Sequence, residues 1–560
     1  MNKLQKTKRQ PAAAAMAVAA AACFAASSAH GFKLDAGPDW TMNLDNSIQY
    51  TMGWRAQNQD PAIANHFAYG SGDAKFPKKG DMVTNRIQDL IEFDGTYRKT
   101  MGFRVSGTVF KDFAYNDSAK NSSALGGVTN YAGNTYTDAT KRYFVEGGEL
   151  LDAFVFVNSH INDTPVYLKL GRLTQYWGNA FFFGFSNIGY SQHPIDYIKG
   201  FANPGSEVKE LFLPRKQILV AADITPELSV AAQYFFEYRA NRYPESGTYL
   251  GFFDPLFNGP NAPGTLAGFG VTGNRGIVEP PNRNGNWGVK VSWSPKEVGG
   301  DIGFYYRKFD EVDPWLAQLT PTLQMQNPIN QKAELIGISF EKGFGLISTG
   351  FELSQRRNTA LNSTPFNVLP VGGAAAKGTL TNFIANTFVQ LGTTPLWNSG
   401  ILLAEMSYTH LNKVTENPSM YFGEGFASCA PPVTWRDGCS TKNSLALAML
   451  FEPQWLQVFP GIDISAPISY TVGVKGNPAY RASGFYGERT NIYSLGAKFT
   501  YQGKTTLAIQ YNGYKWRTNT KGTDPISGQQ TYQGNNFFGG IGAVGINDRG
   551  WLQVTLKTSF

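Results

Sequence analysis

The chain has 560 residues, of which 14% are aromatic and only 16% are charged, and it contains 61 glycines and 30 prolines. High aromatic content, low charge and many turn formers favour strands and loops over a helical fold. The formal net charge of +7 falls to +3 without the four basic residues of the N-terminal segment. The charge balance therefore gives no reason to expect a nucleic-acid partner.

The N-terminal segment has the three parts of a secretory signal peptide. Basic residues come first, an alanine-rich apolar run follows over 11–26, and small residues occupy 28–31. We therefore predict a signal peptide over residues 1–31, cleaved after Gly31 or Ala29, and export of the mature chain. A lipid anchor at Cys23 is the alternative, but the three alanines before it lack the branched apolar residue that such sites prefer.

After this segment no apolar run is long enough for a transmembrane helix. Alternation of apolar and polar residues recurs instead, for example from Ile91 to Tyr97, from Phe103 to Phe113 and from Leu228 to Tyr238. Lipid cannot satisfy the hydrogen bonds of an open sheet edge, so strands that cross a membrane must close into a barrel. Counting such stretches gives eighteen candidate strands, with sixteen as the alternative.

Connections between the candidate strands alternate in length. Eight short links, such as 98–102 and 502–504, alternate with nine long ones, such as 115–147 and 173–215. This alternation is typical of outer-membrane barrels, and a secreted β-sandwich does not need it. The sequence therefore predicts an all-β protein, a transmembrane outer-membrane β-barrel of about eighteen antiparallel strands, located in the cell outer membrane of a Gram-negative bacterium and in contact with its lipid and lipopolysaccharide.

The last strand ends on an aromatic residue that is also the C-terminus, Phe560. Leu552, Val554 and Leu556 share its parity, so a strand here presents one apolar face. A half-buried strand of a soluble sheet gives the same alternation. The terminal aromatic resembles the signal that the barrel assembly machinery reads, and we predict that role for Phe560.

Parity also predicts which charged residues face the lumen. Both signs are represented, which does not indicate simple ion selectivity. The alternative is that these charges only pair with one another and stabilise the barrel. The predicted lumen charges are Glu92, Asp94, Arg104, Asp112, Glu237, Arg239, Lys290 and Arg307.

Residues 172–215 combine many aromatic residues with ionisable ones and do not alternate as a strand does. Such a segment suits neither water nor lipid, so we predict that it folds into the lumen as a constriction or hatch. The alternative is a purely structural plug. The predicted passage residues are Trp177, Phe181, Phe182, Phe183, Phe185 and Tyr190, and the predicted latch residues are Arg172, Asp196, Lys199, Glu207, Lys209, Glu210 and Arg215.

Few residues suggest other chemistry. Cys429 and Cys439 lie in a loop rich in Pro and Gly, and in an oxidising compartment such a pair predicts a disulfide. None of the four histidines after the signal belongs to a recognisable nucleophile motif, so we predict no enzymatic activity. No metal site, nucleotide motif or cofactor is predicted.

Several long motifs resemble a family of Gram-negative outer-membrane proteins catalogued as a domain of unknown function. They are the GR-x4-WG element at 171–178, the HPIDYIKG run at 193–200, the PGSEVKELFLPR run at 204–215, and the GFRVSG and GELLDAFVF stretches at 102–107 and 148–156. The resemblance covers nearly the whole mature chain. It implies genes beside an RND-type inner-membrane transporter and a periplasmic protein with a lipoprotein-carrier-like fold, often among genes for degrading steroids, terpenes or other apolar compounds.

From this resemblance we expect a channel or transporter for hydrophobic or amphipathic small organic molecules that are steroid-, terpene- or lipid-like, gated by the internal loop. Two alternatives remain at this stage. One is a structural or export component that works with the RND-type pump, and the other is a general porin.

Overall fold

The computed structural model describes residues 32–202, 211–254, 256–480, 485–518, 521–532 and 544–560. The predicted signal peptide therefore lies outside the described residues. The main element is one large antiparallel sheet.

Eighteen strands form this sheet, and the fifteenth is interrupted at residues 466–467. In chain order, β1 to β18 are Trp40–Arg55, Met82–Tyr97, Met101–Asp112, Glu146–Ile161, Thr164–Leu173, Arg215–Thr225, Leu228–Phe235, Trp287–Trp293, Asp301–Phe309, Ala333–Phe344, Ile347–Ala360, Lys377–Leu391, Ser399–Glu416, Asn443–Phe459, Ile462–Ser465 with Ile468–Lys475, Asn491–Tyr501, Thr505–Lys515 and Trp551–Ser559.

The sheet closes on itself. Each strand pairs antiparallel with the next in the chain. The last strand then pairs with the first, from Ser47 opposite Ser559 to Arg55 opposite Trp551. The protein is therefore a closed β-barrel of eighteen antiparallel strands. This confirms the predicted fold class and decides the strand count against sixteen.

The connections alternate as the sequence predicts. Eight turns of two to seven residues lie at one end of the barrel, and nine loops of fifteen to fifty-one residues lie at the other. Short hairpin turns leave no room for other elements, so the remaining secondary structure belongs almost entirely to the long loops and the N-terminus.

The smaller elements are short helical turns and strand pairs. Strand Phe32–Leu34 pairs with the start of β1, Gln318–Leu319, Gln324–Pro328 and Gly273–Val278 form a three-stranded sheet, and Lys521–Thr523 pairs with Gln530–Tyr532. The helical turns are Pro61–Ala64, Gly70–Lys75, Ser123–Leu125, Ala132–Asn134, Asp138–Thr140, Lys141–Val145, Tyr197–Ala202, Gly264–Phe269, Pro418–Met420, Ala427–Cys429, Trp435–Asp437 and Val544–Ile546. No helix among the described residues has the length and apolarity that a bilayer crossing requires.

Side-chain parity separates the two faces of the wall. Large apolar side chains of one parity are exposed on the outside, as expected for a surface that contacts lipid hydrocarbon. Examples from around the barrel are Ile91, Val109, Val155, Leu353 and Leu495. The opposite parity carries polar and charged side chains that contact the interior loops.

Several predicted strand boundaries are wrong, and two of them have a clear physical cause. The second strand begins at Met82, nine residues before the predicted Ile91, because polar residues on both parities of 84–89 hide the alternation. The seventh strand ends at Phe235 and not at Tyr238. Tyr238 turns inward and donates a hydrogen bond from its hydroxyl to the carbonyl oxygen of Glu311 at 2.9 Å, which ends the pairing with the neighbouring strand.

Candidate functional site

Two carboxylates of the barrel wall bind the backbone of the connection between β5 and β6, residues 174–214, which we call the internal segment. Glu352 on β11 accepts hydrogen bonds from the backbone N–H groups of Ala180 at 3.0 Å and Ile188 at 2.7 Å. Glu405 on β13 accepts from those of Phe182 at 2.9 Å and Phe183 at 2.8 Å. Each carboxylate also accepts a shorter bond, from Asn179 and Phe181 respectively. Charged acceptors strengthen such bonds, so the wall holds this stretch firmly.

Strand β12, between these two strands, completes the contact. The side-chain amide of Asn386 donates to the carbonyl oxygen of Asn179 at 2.8 Å. Gly178 of the internal segment has a φ of +101°, and a Cβ at this position would lie 2.4 Å from a carboxylate oxygen of Glu352. Only glycine allows the backbone to approach the carboxylate this closely. We call Glu352, Asn386 and Glu405 the anchoring wall.

Two arginines of the wall bind carbonyl oxygens of the same segment. Arg307 donates to the carbonyl oxygens of Ile188 at 2.9 Å and Tyr190 at 2.7 Å. Arg215 donates to that of Gln192 at 3.5 Å, and its guanidinium lies 4.3 Å from the centre of the Phe235 ring. Wall carboxylates thus accept from N–H groups of the segment, and wall guanidinium groups donate to its carbonyl oxygens, so both kinds of buried backbone group find partners on the wall.

The predicted passage residues are packed rather than open. Trp177, Phe183, Phe185 and Tyr190 are 2%, 0%, 2% and 5% exposed, whereas Phe181 and Phe182 are partly buried. The Trp177 indole contacts β8 at Gly288, where a Cβ would lie 2.9 Å from the ring. Phe185 and Tyr190 line a small cavity of about 10 Å³. A role in a passage stays a prediction for all six residues.

A column of stacked rings runs from the internal segment into the loop between β7 and β8. The ring of Phe185 is parallel to that of Tyr197 at 5.5 Å between centroids, Tyr197 to Tyr243 at 5.0 Å, and Tyr243 to Phe257 at 4.6 Å. Phe485 of the loop between β15 and β16 stacks beside Phe185 at 5.8 Å. Three long connections therefore meet in one aromatic core inside the barrel.

The predicted latch residues divide into four groups. Asp196 pairs with Arg242 at 2.8 Å, and Arg242 also pairs with Glu149 of β4 at 2.9 Å. Arg172 and Arg215 were expected on the internal segment but lie on β5 and β6, because strand pairing extends over residues 172–173 and 215. Lys199 lines a cavity. Glu207, Lys209 and Glu210 lie outside the described residues. A latch function stays a prediction for all seven.

The predicted lumen charges contact one another or the interior loops. Arg104 pairs with Glu92 and, at 3.5 Å, with Asp152. Asp94 accepts from Asn43 at 3.0 Å, and the Lys290 ammonium lies 5.6 Å from the centre of the Tyr305 ring.

Glu237 and Arg239 also form ion pairs, but they follow the end of β7 and are not strand residues. Glu237 pairs with Arg172 at 2.9 Å, and Arg239 pairs with Glu149 at 2.6 Å. Asp112, at the end of β3, is buried and accepts from the Thr84 hydroxyl at 2.6 Å. Ion pairing is thus a main feature of the interior.

A cavity of about 170 Å³ lies inside the barrel near the long-loop end. Its walls are β1 to β4, β18, the helix Tyr197–Ala202 and residues of the loop between β7 and β8. Its aromatic lining includes Phe110, Tyr143 and Trp551, and its charged lining includes Arg86, Arg142, Asp196 and Lys199. We call this region the open wall, because here the internal segment faces space rather than strand side chains.

Other predicted features can be located directly. Cys429 and Cys439 form the predicted disulfide in the loop between β13 and β14. His193 is buried, bonds through Nε2 to the backbone of Gln175 at 2.9 Å, and burial lowers its pKa to about 3. Burial likewise lowers the pKa of His66 to about 4. No metal-binding group of His, Cys, Asp or Glu occurs in the part of the chain that the structure describes.

Sequence reasoning missed the anchoring wall. Glu352 and Glu405 lie in predicted strands whose apolar and polar residues do not alternate regularly. In such strands the alternation does not show which side chains face the lumen. The sequence nevertheless contains a signal for both residues, because each is an isolated acidic residue at an inward-facing position of its strand. Arg242 was missed because it lies in a loop, where parity predicts nothing.

The fold and interior are those of a closed barrel with an apolar outer surface and a filled lumen. The chain belongs to the family described as Protein of unknown function (DUF1302), whose model matches residues 12–560. No curated protein matches the chain.

Solved structures with a similar fold are outer-membrane proteins. Acinetobacter baumannii OccAB2 is 10% identical, with 93% of this chain and 98% of that chain covered and a TM-score of 0.41. OccAB1 from the same organism is 12% identical, with 95% and 98% covered and a TM-score of 0.41. Pseudomonas aeruginosa OpdK with vanillate is 8% identical, with 92% and 98% covered and a TM-score of 0.40. Similarity at this level carries no argument about activity.

Proposed function

We propose that the protein is an outer-membrane channel for hydrophobic or amphipathic small organic molecules, closed at rest by the internal segment. The observation that carries the proposal is the docking of residues 179–188 on Glu352 and Glu405 across the lumen. A barrel with only a structural role needs no such filling by loops. A channel for apolar solutes needs it, because an open aqueous pore of this width solvates apolar molecules poorly and admits unwanted polar ones.

The chemistry of the interior supports apolar or amphipathic cargo. Aromatic rings of three connections meet in the lumen, and the cavity of about 170 Å³ there has aromatic as well as charged walls. An apolar solute exchanges contacts with such rings without losing hydrogen bonds to water. The polar side chains orient the solute and keep the closed lumen ordered.

The first test is single-channel conductance of the refolded protein in a planar bilayer. We expect wild-type barrels to be silent or to open rarely. The double variant Glu352→Gln, Glu405→Gln keeps the size of both side chains but places an amide N–H group opposite backbone N–H groups. The charged hydrogen bonds that hold the segment are lost, which costs about 3 kcal/mol or more. Openings should therefore become at least about tenfold more frequent.

The matched control is Glu341→Gln on β10, an exposed carboxylate that does not contact the internal segment. Correct folding is checked for each variant by the heat-dependent shift of the barrel on a gel. Large, steady, weakly selective steps from the wild type would contradict closure and indicate a general porin. The solute class is tested with an apolar fluorophore and porin-deficient Gram-negative cells. We expect the fluorophore to enter cells that carry the double variant but not cells that carry the control.

A further inference from the structure

The open wall has an unusual charge arrangement. Among the described residues, four cationic and three anionic side chains line the cavity, so the described cations are in excess by one. Counting charges alone does not predict a ligand, because paired charges in a partly solvated space largely cancel. A charged group favours a ligand only where it lacks a partner within the protein.

The acidic side chains are occupied. Glu149 accepts from Arg239 at 2.6 Å and from Arg242 at 2.9 Å, and Asp196 accepts from Arg242 at 2.8 Å. Asp196 also caps the helix Tyr197–Ala202 by accepting from the backbone N–H of Ile198 at 3.1 Å. These two carboxylates and Arg242 therefore form a closed set with little capacity left for another ligand.

The third carboxylate, Asp112, is also satisfied by local donors. Its two oxygens accept from the Thr84 hydroxyl at 2.6 Å, from the backbone N–H of Asn85 at 2.8 Å and from that of Ala114 at 3.0 Å. A buried carboxylate with three such donors does not need a cation.

The other three cations lack an anionic partner in the part of the chain that the structure describes. Among the described residues, no carboxylate forms an ion pair with Arg86, Arg142 or Lys199. The Nε atom of Arg86 is buried without any hydrogen-bond partner, and its guanidinium lies 3.5 Å from the centre of the Phe110 ring. Arg142 lies over the ring of Tyr143 at 5.8 Å. A buried unsatisfied donor and two accessible cations around one space favour an anion there.

The rest of the lining is suited to an apolar body. The side chains of Phe110, Phe144, Leu250 and Trp551 form much of the apolar wall. Engineered cavities of roughly 150 Å³ hold a benzene-sized molecule, so the volume here suits a short alkyl chain or a single ring.

We propose that this cavity binds an apolar molecule that carries one carboxylate, with the carboxylate at Arg86, Arg142 and Lys199 and the apolar body against the aromatic wall. The inference rests on the proposed function and deepens it, because it names the head group that a permeating molecule presents at the long-loop end of the lumen. Neutral apolar molecules lack the group that these three cations recognise.

The test is equilibrium binding to the folded full-length barrel in lipid nanodiscs, measured by titration calorimetry against empty nanodiscs. Octanoate and octanamide have the same shape and differ in charge. We expect octanoate to bind at least about tenfold more tightly, and the double variant Arg142→Gln, Lys199→Gln to remove about tenfold of its affinity, as charged hydrogen bonds predict. Both variant positions are exposed, so the barrel should fold normally.

The matched control is Lys290→Gln, which removes a lumen cation outside the cavity and should leave octanoate affinity unchanged. Octylammonium should bind more weakly than octanamide. Equal affinity for octanoate and octanamide, or no effect of the double variant, would overturn the proposal.

Flux of octanoate into proteoliposomes separates this inference from the channel proposal. Selective binding without flux, even in the Glu352→Gln, Glu405→Gln variant, supports the site and counts against the channel. Equal flux of octanoate and octanamide without selective binding supports the channel and overturns the site.

Discussion

The two sides of the lumen hold the internal segment by different chemistry. On the anchoring wall, carboxylates and an amide of three neighbouring strands bind the backbone directly. On the open wall, the segment contributes side chains to an ion-pair set and borders a cavity. Hydrogen bonds to the backbone fix the position of the segment independently of its side chains. A cavity with unpaired cations is instead suited to bind an anionic ligand. Closure and ligand binding are therefore expected to be separable by substitution.

The largest effect is expected for Gly178→Ala, at the position where the internal segment contacts the anchoring wall. The added Cβ would lie 2.4 Å from a carboxylate oxygen of Glu352, at a backbone φ of +101°. Left-handed backbone and the clash together cost about 3 kcal/mol. We expect this variant to open in planar bilayers at least as often as the Glu352→Gln, Glu405→Gln variant.

Gly345→Ala is the control for this substitution. Gly345 also has a positive φ, of +62°, but lies in the turn between β10 and β11 with nothing within 4 Å of an added Cβ. If both glycine variants remain as closed as the wild type, the anchoring wall does not determine closure.

A smaller effect of a different kind is expected for Asp196→Asn on the open wall. The change removes a negative charge beside the cavity and frees one side of Arg242, while the amide oxygen still caps the following helix. Octanoate affinity should rise about threefold, as expected for removing one partly screened like charge. Single-channel recordings should remain those of the wild type. Conductance as high as that of Gly178→Ala would show that the open wall also anchors the segment.

The smallest effect is a pH dependence of the loop between β7 and β8, which borders the open wall. Burial raises the pKa of Glu245 from 4.5 to about 8. The folded loop therefore binds a proton that the unfolded loop releases, so its stability is fully present below pH 4.5 and is lost as pH rises through about 8. Amide hydrogen exchange in this loop, corrected for intrinsic rate, should accelerate between about pH 4.5 and about pH 8.

Glu245→Gln cannot titrate and should abolish this acceleration. Exchange in the loop between β13 and β14, which carries the disulfide and none of whose described residues contacts Glu245, should serve as the internal reference. Equal acceleration in the wild type and in Glu245→Gln would contradict the assignment of the pH dependence to Glu245.

The fold could be predicted because its signals are local. Alternation along a strand and the length of each link depend only on neighbouring residues, and they gave both the strand count and the short and long connections. Prediction failed at Met82–Leu90, where polar residues occupy both parities, and at Glu237, where the strand ends before the pattern does. Both failures occur where the strand residues contact loops inside the barrel. There the residue type no longer shows simply whether a side chain faces lipid or lumen.

Composition and parity alone predict that residues 172–215 are unsuited to water and to lipid, and that Arg307 and Asp112 face inward. They do not determine what these residues contact. Partners such as Glu352 with Ala180 and Glu405 with Phe183 are separated by more than 170 and 220 residues, and only barrel closure brings them together. The choice of which cations remain unpaired around the cavity was likewise decided by tertiary structure, because pairing depends on distances that no local pattern encodes.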